Sequence, residues 1–79
     1  MRISLSLYAS LASHLPENCK GNTCTLELTN GTSVEELLNQ LNIGIDEPKV
    51  MFVNGVHARP NQVIQEGDRV AIFPPIAGG

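Results

Sequence analysis

Residues 32–44 read TSVEELLNQLNIG, and this stretch decides how everything around it must be arranged. Val34, Leu37, Leu38 and Leu41 recur at helical spacing and form a single apolar stripe. Thr32 with Glu35 three positions later predicts a capping box, in which each side chain satisfies an orphan backbone N–H; Ser33 with Glu36 is the alternative register. Truncating the cap costs about 1 kcal/mol. Gly44 is placed to end the helix. A helix of about ten residues with one wet face must cover a sheet, so the flanking segments are expected to supply strands.

They do so on both sides. In ISLSLY, Ile3, Leu5 and Leu7 share one face while Ser4 and Ser6 take the other, a half-buried strand. ASLASHLPEN follows, with Leu11 and Leu15 four apart, a short helix halted at Pro16. TCTLELT is a second strand with Cys24, Leu26 and Leu28 inward and Thr25 and Glu27 outward, closed by the Asn30-Gly31 turn. Beyond the helix, KVMFVNGVHA is a third strand running into Asn54-Gly55, a strong hairpin signal that leads to a short return strand. In VMFV the alternation is not clean, which makes the placing of Phe52 the weaker one. EGDRVAIF gives a tight Gly67-Asp68 turn and a last strand; Arg69 faces water, Val70 and Ile72 point inward, and Ala71 and Phe73 lie on the outer side. Strand, strand, helix, strand, short strand, strand is an α+β roll on one core.

The chain of 79 residues makes one domain, expected to bury about 60–65% of its unfolded surface. A hydrophobic fraction of 42% and a charged fraction of 16% are those of a globular chain. The net charge of -3, with Arg2, Lys20, Lys49, Arg59 and Arg69 scattered, argues against nucleic acid as a partner. No apolar run approaches the roughly 20 residues of a membrane span. MRISLSLYAS alternates like a strand and does not read as a signal peptide, so a cytoplasmic location is expected. Cys19 and Cys24 flank the turn CKGNTC, but a reducing cytosol disfavours a structural disulfide, and Cys24 reads as a small buried hydrophobe. Zinc would need both cysteines with His14 and His57, which lack finger spacing, so no metal is expected.

No constellation for side-chain catalysis emerges. His14 and His57 read as surface residues, Glu35 and Glu36 belong to the cap, and Asp46 and Glu47 before Pro48 read as solvated charge. No glycine-rich loop opens a helix after a strand, so a nucleotide cradle is not indicated. What remains is the end of the chain. Residues 1–73 form the domain; Pro74-Pro75 then stop the ladder and stiffen the exit, and residues 74–79 are expected to be a flexible tail. That tail reaches at most ~20 Å. Ala77, Gly78 and Gly79 at its tip are the narrowest side chains available, able to thread a tight slot. The functional group there is the α-carboxylate, ionised at neutral pH, which a partner could activate with ATP as an acyl adenylate. Glycine leaves that carbonyl open to approach from either side. A frayed terminus in which small residues are simply tolerated is the competing reading.

VNG (53–55), EGDRVAIFPPIAGG (66–79) and TSVEELL (32–38) carry a resemblance to the ubiquitin-like sulfur carriers of the MoaD/ThiS family that spans essentially the whole chain. The resemblance implies a β-grasp (ubiquitin-like) fold, a mixed sheet of four to five strands on one main helix. It also implies a carrier without catalytic side chains or a tightly bound cofactor. An E1-like enzyme would spend ATP to adenylate Gly79, and a sulfur donor protein would convert the carboxylate to a thiocarboxylate. The lead-in Phe73-Pro74-Pro75 is similar to that of the molybdopterin synthase small subunit. On that likeness the tail would enter the synthase large subunit and donate sulfur to the pterin of a molybdenum or tungsten cofactor. Phe73, Ala71 and Phe52 on the outer sheet face would dock. Service to thiamine thiazole synthesis or another thiolation pathway, and conjugation to lysines as a ubiquitin-like modifier, are the alternatives. One region departs from the family pattern: ASLASHLPENCKGNTC is polar and cysteine-bearing where these carriers usually have a plain helix.

Overall fold

Strand β1, Arg2–Leu7, is the hub of a five-stranded sheet in a computed structural model that describes residues 1–16, 19–44, 46–47 and 49–75. It pairs antiparallel with β2 (Thr23–Glu27) on one side and parallel with β5 (Arg69–Phe73) on the other. Strand β3 (Val50–Val53) lies antiparallel to β5, and β4 (Val56–His57) closes the far edge, giving the order β2-β1-β5-β3-β4. Helix α1 (Val34–Gln40) crosses between the two halves. The alternation expected of β1 and β5 is present: Ile3, Leu5, Leu7, Val70 and Ile72 are buried against Val34, Leu37 and Leu38 of α1. Strand β3 alternates more regularly than its sequence indicates, with Met51 and Val53 buried and Val50 and Phe52 half-buried on the other face.

The helix is capped one residue later than the first reading. Ser33 Oγ accepts from the Glu36 N–H at 3.2 Å, and the Ser33 N–H donates to Glu36 Oε1 at 2.9 Å. Thr32 is committed elsewhere: its hydroxyl donates to the Thr29 carbonyl at 2.7 Å and its side chain is buried. The other early N–H groups are satisfied by the loop before β5, Val34 N–H by Gln62 O and Glu35 N–H by Pro60 O. The helix is also shorter than expected, because Asn42 takes the role assigned to Gly44. Asn42 adopts φ 61, and the Ile43 N–H returns to Leu38 O while the Asn42 N–H returns to Asn39 O. These are the paired bonds of a Schellman ending, with Ile43 buried as its hydrophobic contact.

Two further expectations are corrected between β1 and β2. The segment Ala9–His14 is a 3-10 helix, and His14 is half-buried, not a surface residue; its Nδ1–H donates to the Leu41 carbonyl at 3.0 Å, tying this turn to the end of α1. Cys19 and Cys24 form a disulfide. The turn Lys20–Thr23 brings them across from one another with Cα atoms 4.8 Å apart, within bridging range, and this local geometry outweighs the expectation drawn from a reducing compartment. Cys24 opposes Leu5 but is only half-buried, because the β2 edge is incompletely covered. Cross-linking so short a loop contributes about 2 kcal/mol. Reduction is therefore expected to lower the Tm on the order of 10 °C, measured in thermal melts with and without a thiol reductant.

The β3–β4 hairpin is locked to the start of β5. Asn54 and Gly55 both have positive φ, 54° and 81°, the two-residue turn that Asn-Gly favours. Asn54 Nδ2–H donates to Asp68 Oδ1 at 2.9 Å, and the Arg69 N–H donates to Asn54 Oδ1 at 2.9 Å. The second carboxylate oxygen of Asp68 accepts from the Gln65 N–H at 2.8 Å. The VNG and GD turns are thus joined through the buried Asp68 side chain in one polar cluster at the start of β5.

Candidate functional site

On the face of the sheet away from α1, alternation puts Ala71 and Phe73 of β5 beside Val50 and Phe52 of β3. The register pairs Val50 with Phe73 and Phe52 with Ala71. The Phe52 ring meets Phe73 edge-on, with centroids 5.9 Å apart and planes at 82°. His57, exposed on β4, meets Phe52 edge-on at 5.7 Å and 84°. Tyr8, the residue after β1, lies flat on Phe73 with centroids 4.4 Å apart and planes 3° from parallel. Four rings therefore run in a row from the end of β1 to the edge strand. Aromatic pairs of this kind contribute about 0.5–1.5 kcal/mol each beyond their burial.

Three of these rings, Tyr8, Phe73 and Phe52, wall an apolar groove of about 550 Å³, whose lining also includes Ala9, Val50, Pro74 and Pro75. The other half of the same face is polar: Ser4, Ser6, Thr23 and Thr25 sit on β1 and β2, with Ser6 Oγ and Thr23 Oγ1 3.0 Å apart and hydrogen-bonded. The boundary follows residue type strand by strand.

The three residues expected to face a partner, Phe73, Ala71 and Phe52, are together on this half of the sheet, all half-buried. Pro74 is half-buried and Pro75 exposed at the groove's end. Gly79, Gly78 and Ala77 lie outside the described residues. Tyr8 was missed by the sequence reading. The signal for it is the alternation of β1: with Ile3, Leu5 and Leu7 inward, the next residue faces outward, beside the outward Phe73 of a neighbouring strand. Among the described residues no group of three or more His, Cys, Asp or Glu side chains could hold a metal ion. Among the same residues no helix is long and apolar enough to cross a membrane.

The profile of the ThiS family matches residues 15–79. The chain belongs to the ThiS family. Its fold is the ubiquitin-like β-grasp, and solved structures share it over nearly their whole length. Small archaeal modifier protein 1 from Haloferax volcanii superposes with a TM-score of 0.74 at 22% identity, covering 100% of both chains. A candidate molybdopterin converting factor subunit 1 from Pyrococcus furiosus gives 0.68 at 23% identity, covering 95% of this chain and 98% of that one. The complex of subunits 1 and 2 of molybdopterin-converting factor from Helicobacter pylori contains a chain that matches at 0.64 and 15% identity, covering 100% of both. No curated protein matches the sequence. In this ThiS-family chain the last strand and its apolar face lead directly into Pro74-Pro75.

Proposed function

We propose that this ThiS-family protein is a sulfur carrier whose C-terminal Gly79 is the reacting residue and which serves as the small subunit of a molybdopterin synthase. The observation that carries the reading is the continuity of the apolar groove with the exit of β5: the face that would dock ends at Pro74 and Pro75, where the tail departs. A carboxylate oxygen of Gly79 attacks the α-phosphorus of ATP on an E1-like enzyme, releasing pyrophosphate. A hydrosulfide ion released by a donor protein then attacks the acyl carbon of the adenylate, and AMP leaves. The product is a thiocarboxylate with no side chain of this protein in the chemistry. Phe73, Ala71 and Phe52 dock a large subunit, a role favoured by the fold match to a chain from the Helicobacter pylori two-subunit complex.

The test is intact mass spectrometry after incubation with the activating enzyme, ATP and a sulfur donor. A gain equal to one oxygen-for-sulfur exchange, confined to the C-terminal peptide, is expected. An unchanged mass after a complete reaction mixture with active enzyme would overturn the reading. A second reading, conjugation of Gly79 to lysines, is favoured by the match to the Haloferax volcanii modifier. It requires lysine-linked adducts carrying residues 70–79, the remnant left by cleavage after Arg69, on host proteins, which the carrier reading does not.

A further inference from the structure

We propose that Tyr8 is a positioning residue: its ring on Phe73 sets the direction in which Pro74-Pro75 leave the sheet. The inference rests on the carrier reading for its kinetic consequence, but its structural part stands independently.

Tyr8 is held from both sides by backbone bonds. Its own N–H donates to the carbonyl of Ile72, the residue before Phe73, at 3.2 Å. Its predecessor Leu7 is clamped by Asn22: the Leu7 N–H donates to Asn22 O at 2.9 Å, and Asn22 Nδ2–H donates to the Leu7 carbonyl at 2.8 Å. Immediately after Tyr8 the chain swings away through Ala9, whose φ of 52° is a conformation that costs a non-glycine residue energy. That turn sends Leu11 into the core and stops β1 from continuing beside the outgoing chain. The strained turn leaves Tyr8 as the last residue of β1's path, beside the last residue of β5.

Phe73 is consequently confined by two rings, Tyr8 flat on one side and Phe52 edge-on. It is also the residue before a proline, so its backbone is already restricted to extended conformations, and the two prolines after it are stiff. Orientation at Phe73 is therefore passed on to Pro75 with little loss. A change of exit direction at Pro75 moves the point from which residues 76–79 must reach the activating site, and misplacement of about 1 Å can cost as much as a hundredfold in rate. The arrangement differs from simple docking, in which Tyr8 would add contact area and change affinity alone.

Wild type, Tyr8→Ala, Tyr8→Leu and Tyr8→Phe are compared in two arms, with thermal melts run in parallel. Tyr8→Leu keeps apolar bulk without a flat ring and guards against a folding defect in Tyr8→Ala. In the first arm, NMR of the protein alone records ring-current shifts and residual dipolar couplings at Pro74 and Pro75. These are expected to move in the alanine and leucine variants and to stay in the phenylalanine variant. In the second, initial rates of Gly79 adenylation are measured across carrier concentration with the E1-like enzyme and ATP. A kcat lowered about tenfold or more in Tyr8→Ala and Tyr8→Leu, with KM changed less, and restored by Tyr8→Phe, is expected. Unmoved Pro74 and Pro75 couplings in folded Tyr8→Leu overturn the proposal whatever the kinetics. A loss confined to KM also overturns it, making Tyr8 a docking residue. If wild type is not adenylated the carrier reading fails, and the NMR arm alone decides the role of Tyr8.

Discussion

Extending the chain by a single alanine after Gly79 is expected to abolish sulfur loading, with a loss of more than about a hundredfold in rate. The added residue occupies the reacting position and carries the carboxylate about 3.5 Å further along the slot. It also brings a Cβ where glycine had none, closing one side of the carbonyl to approach. Deleting Gly78 and Gly79 is expected to be equally damaging, since the carboxylate is then withdrawn by a similar step for each residue. Neither change alters a described core residue: β5 ends at Phe73, and among the described residues the buried cluster draws nothing from beyond Ile72. The Tm should therefore match wild type, which separates loss of chemistry from loss of fold. Intact mass spectrometry of the extended chain after a complete loading reaction is the measurement. Loading at the wild-type rate would rule out Gly79 as the residue that must react.

Asp68→Ala is expected to be the most damaging single change outside the apolar core, lowering stability by about 2–3 kcal/mol and the Tm on the order of 10–20 °C. Asp68 is 9% exposed, and its carboxylate accepts two hydrogen bonds, from Asn54 Nδ2–H and the Gln65 N–H. Removing it leaves both donors without their charged partner, a hydrogen-bond loss of about 1.5–3 kcal/mol. It also frees Asn54, which holds a left-handed conformation and accepts from the Arg69 N–H, the first residue of β5. The damage thus reaches the strand that carries Ala71 and Phe73. Urea and thermal unfolding of the variant supply the test; midpoints equal to wild type would show that the two turns hold without this cluster. In a chain of this size even 2 kcal/mol is a large share of a total of about 5–10 kcal/mol.

Local pattern made most of the architecture legible. The Leu37, Leu38 and Leu41 stripe, the alternation of ISLSL and RVAIF, and the Asn-Gly turn each depend on neighbours within a few residues, and each is present in the folded chain. Where two local solutions competed, the outcome depended on distant partners. Ser33 caps α1 because Thr32 is drawn to Thr29 and its backbone carbonyl accepts from Ile64. Asn42 ends the helix before Gly44 because the buried position waiting for Ile43 fixes where the chain must turn. His14 is claimed by the Leu41 carbonyl, 27 positions away in sequence.

The candidate site divides in the same way. The outward direction of Phe73, Ala71 and Phe52 follows from a period of two and could be read directly, and so could the glycine ending. The row from Tyr8 to His57 could not, because it requires the strand order β1-β5-β3-β4 and the parallel register that sets Leu7 beside Ile72. The disulfide likewise depended on how tightly the Lys20–Thr23 turn closes. By itself the sequence determined which residues turn inward and where the helix lies, since each of these is encoded within a few neighbouring positions. Only the tertiary structure decided which outward residues become neighbours. Contact across a sheet is set by strand order and register, and these are decided by burying the whole core at once.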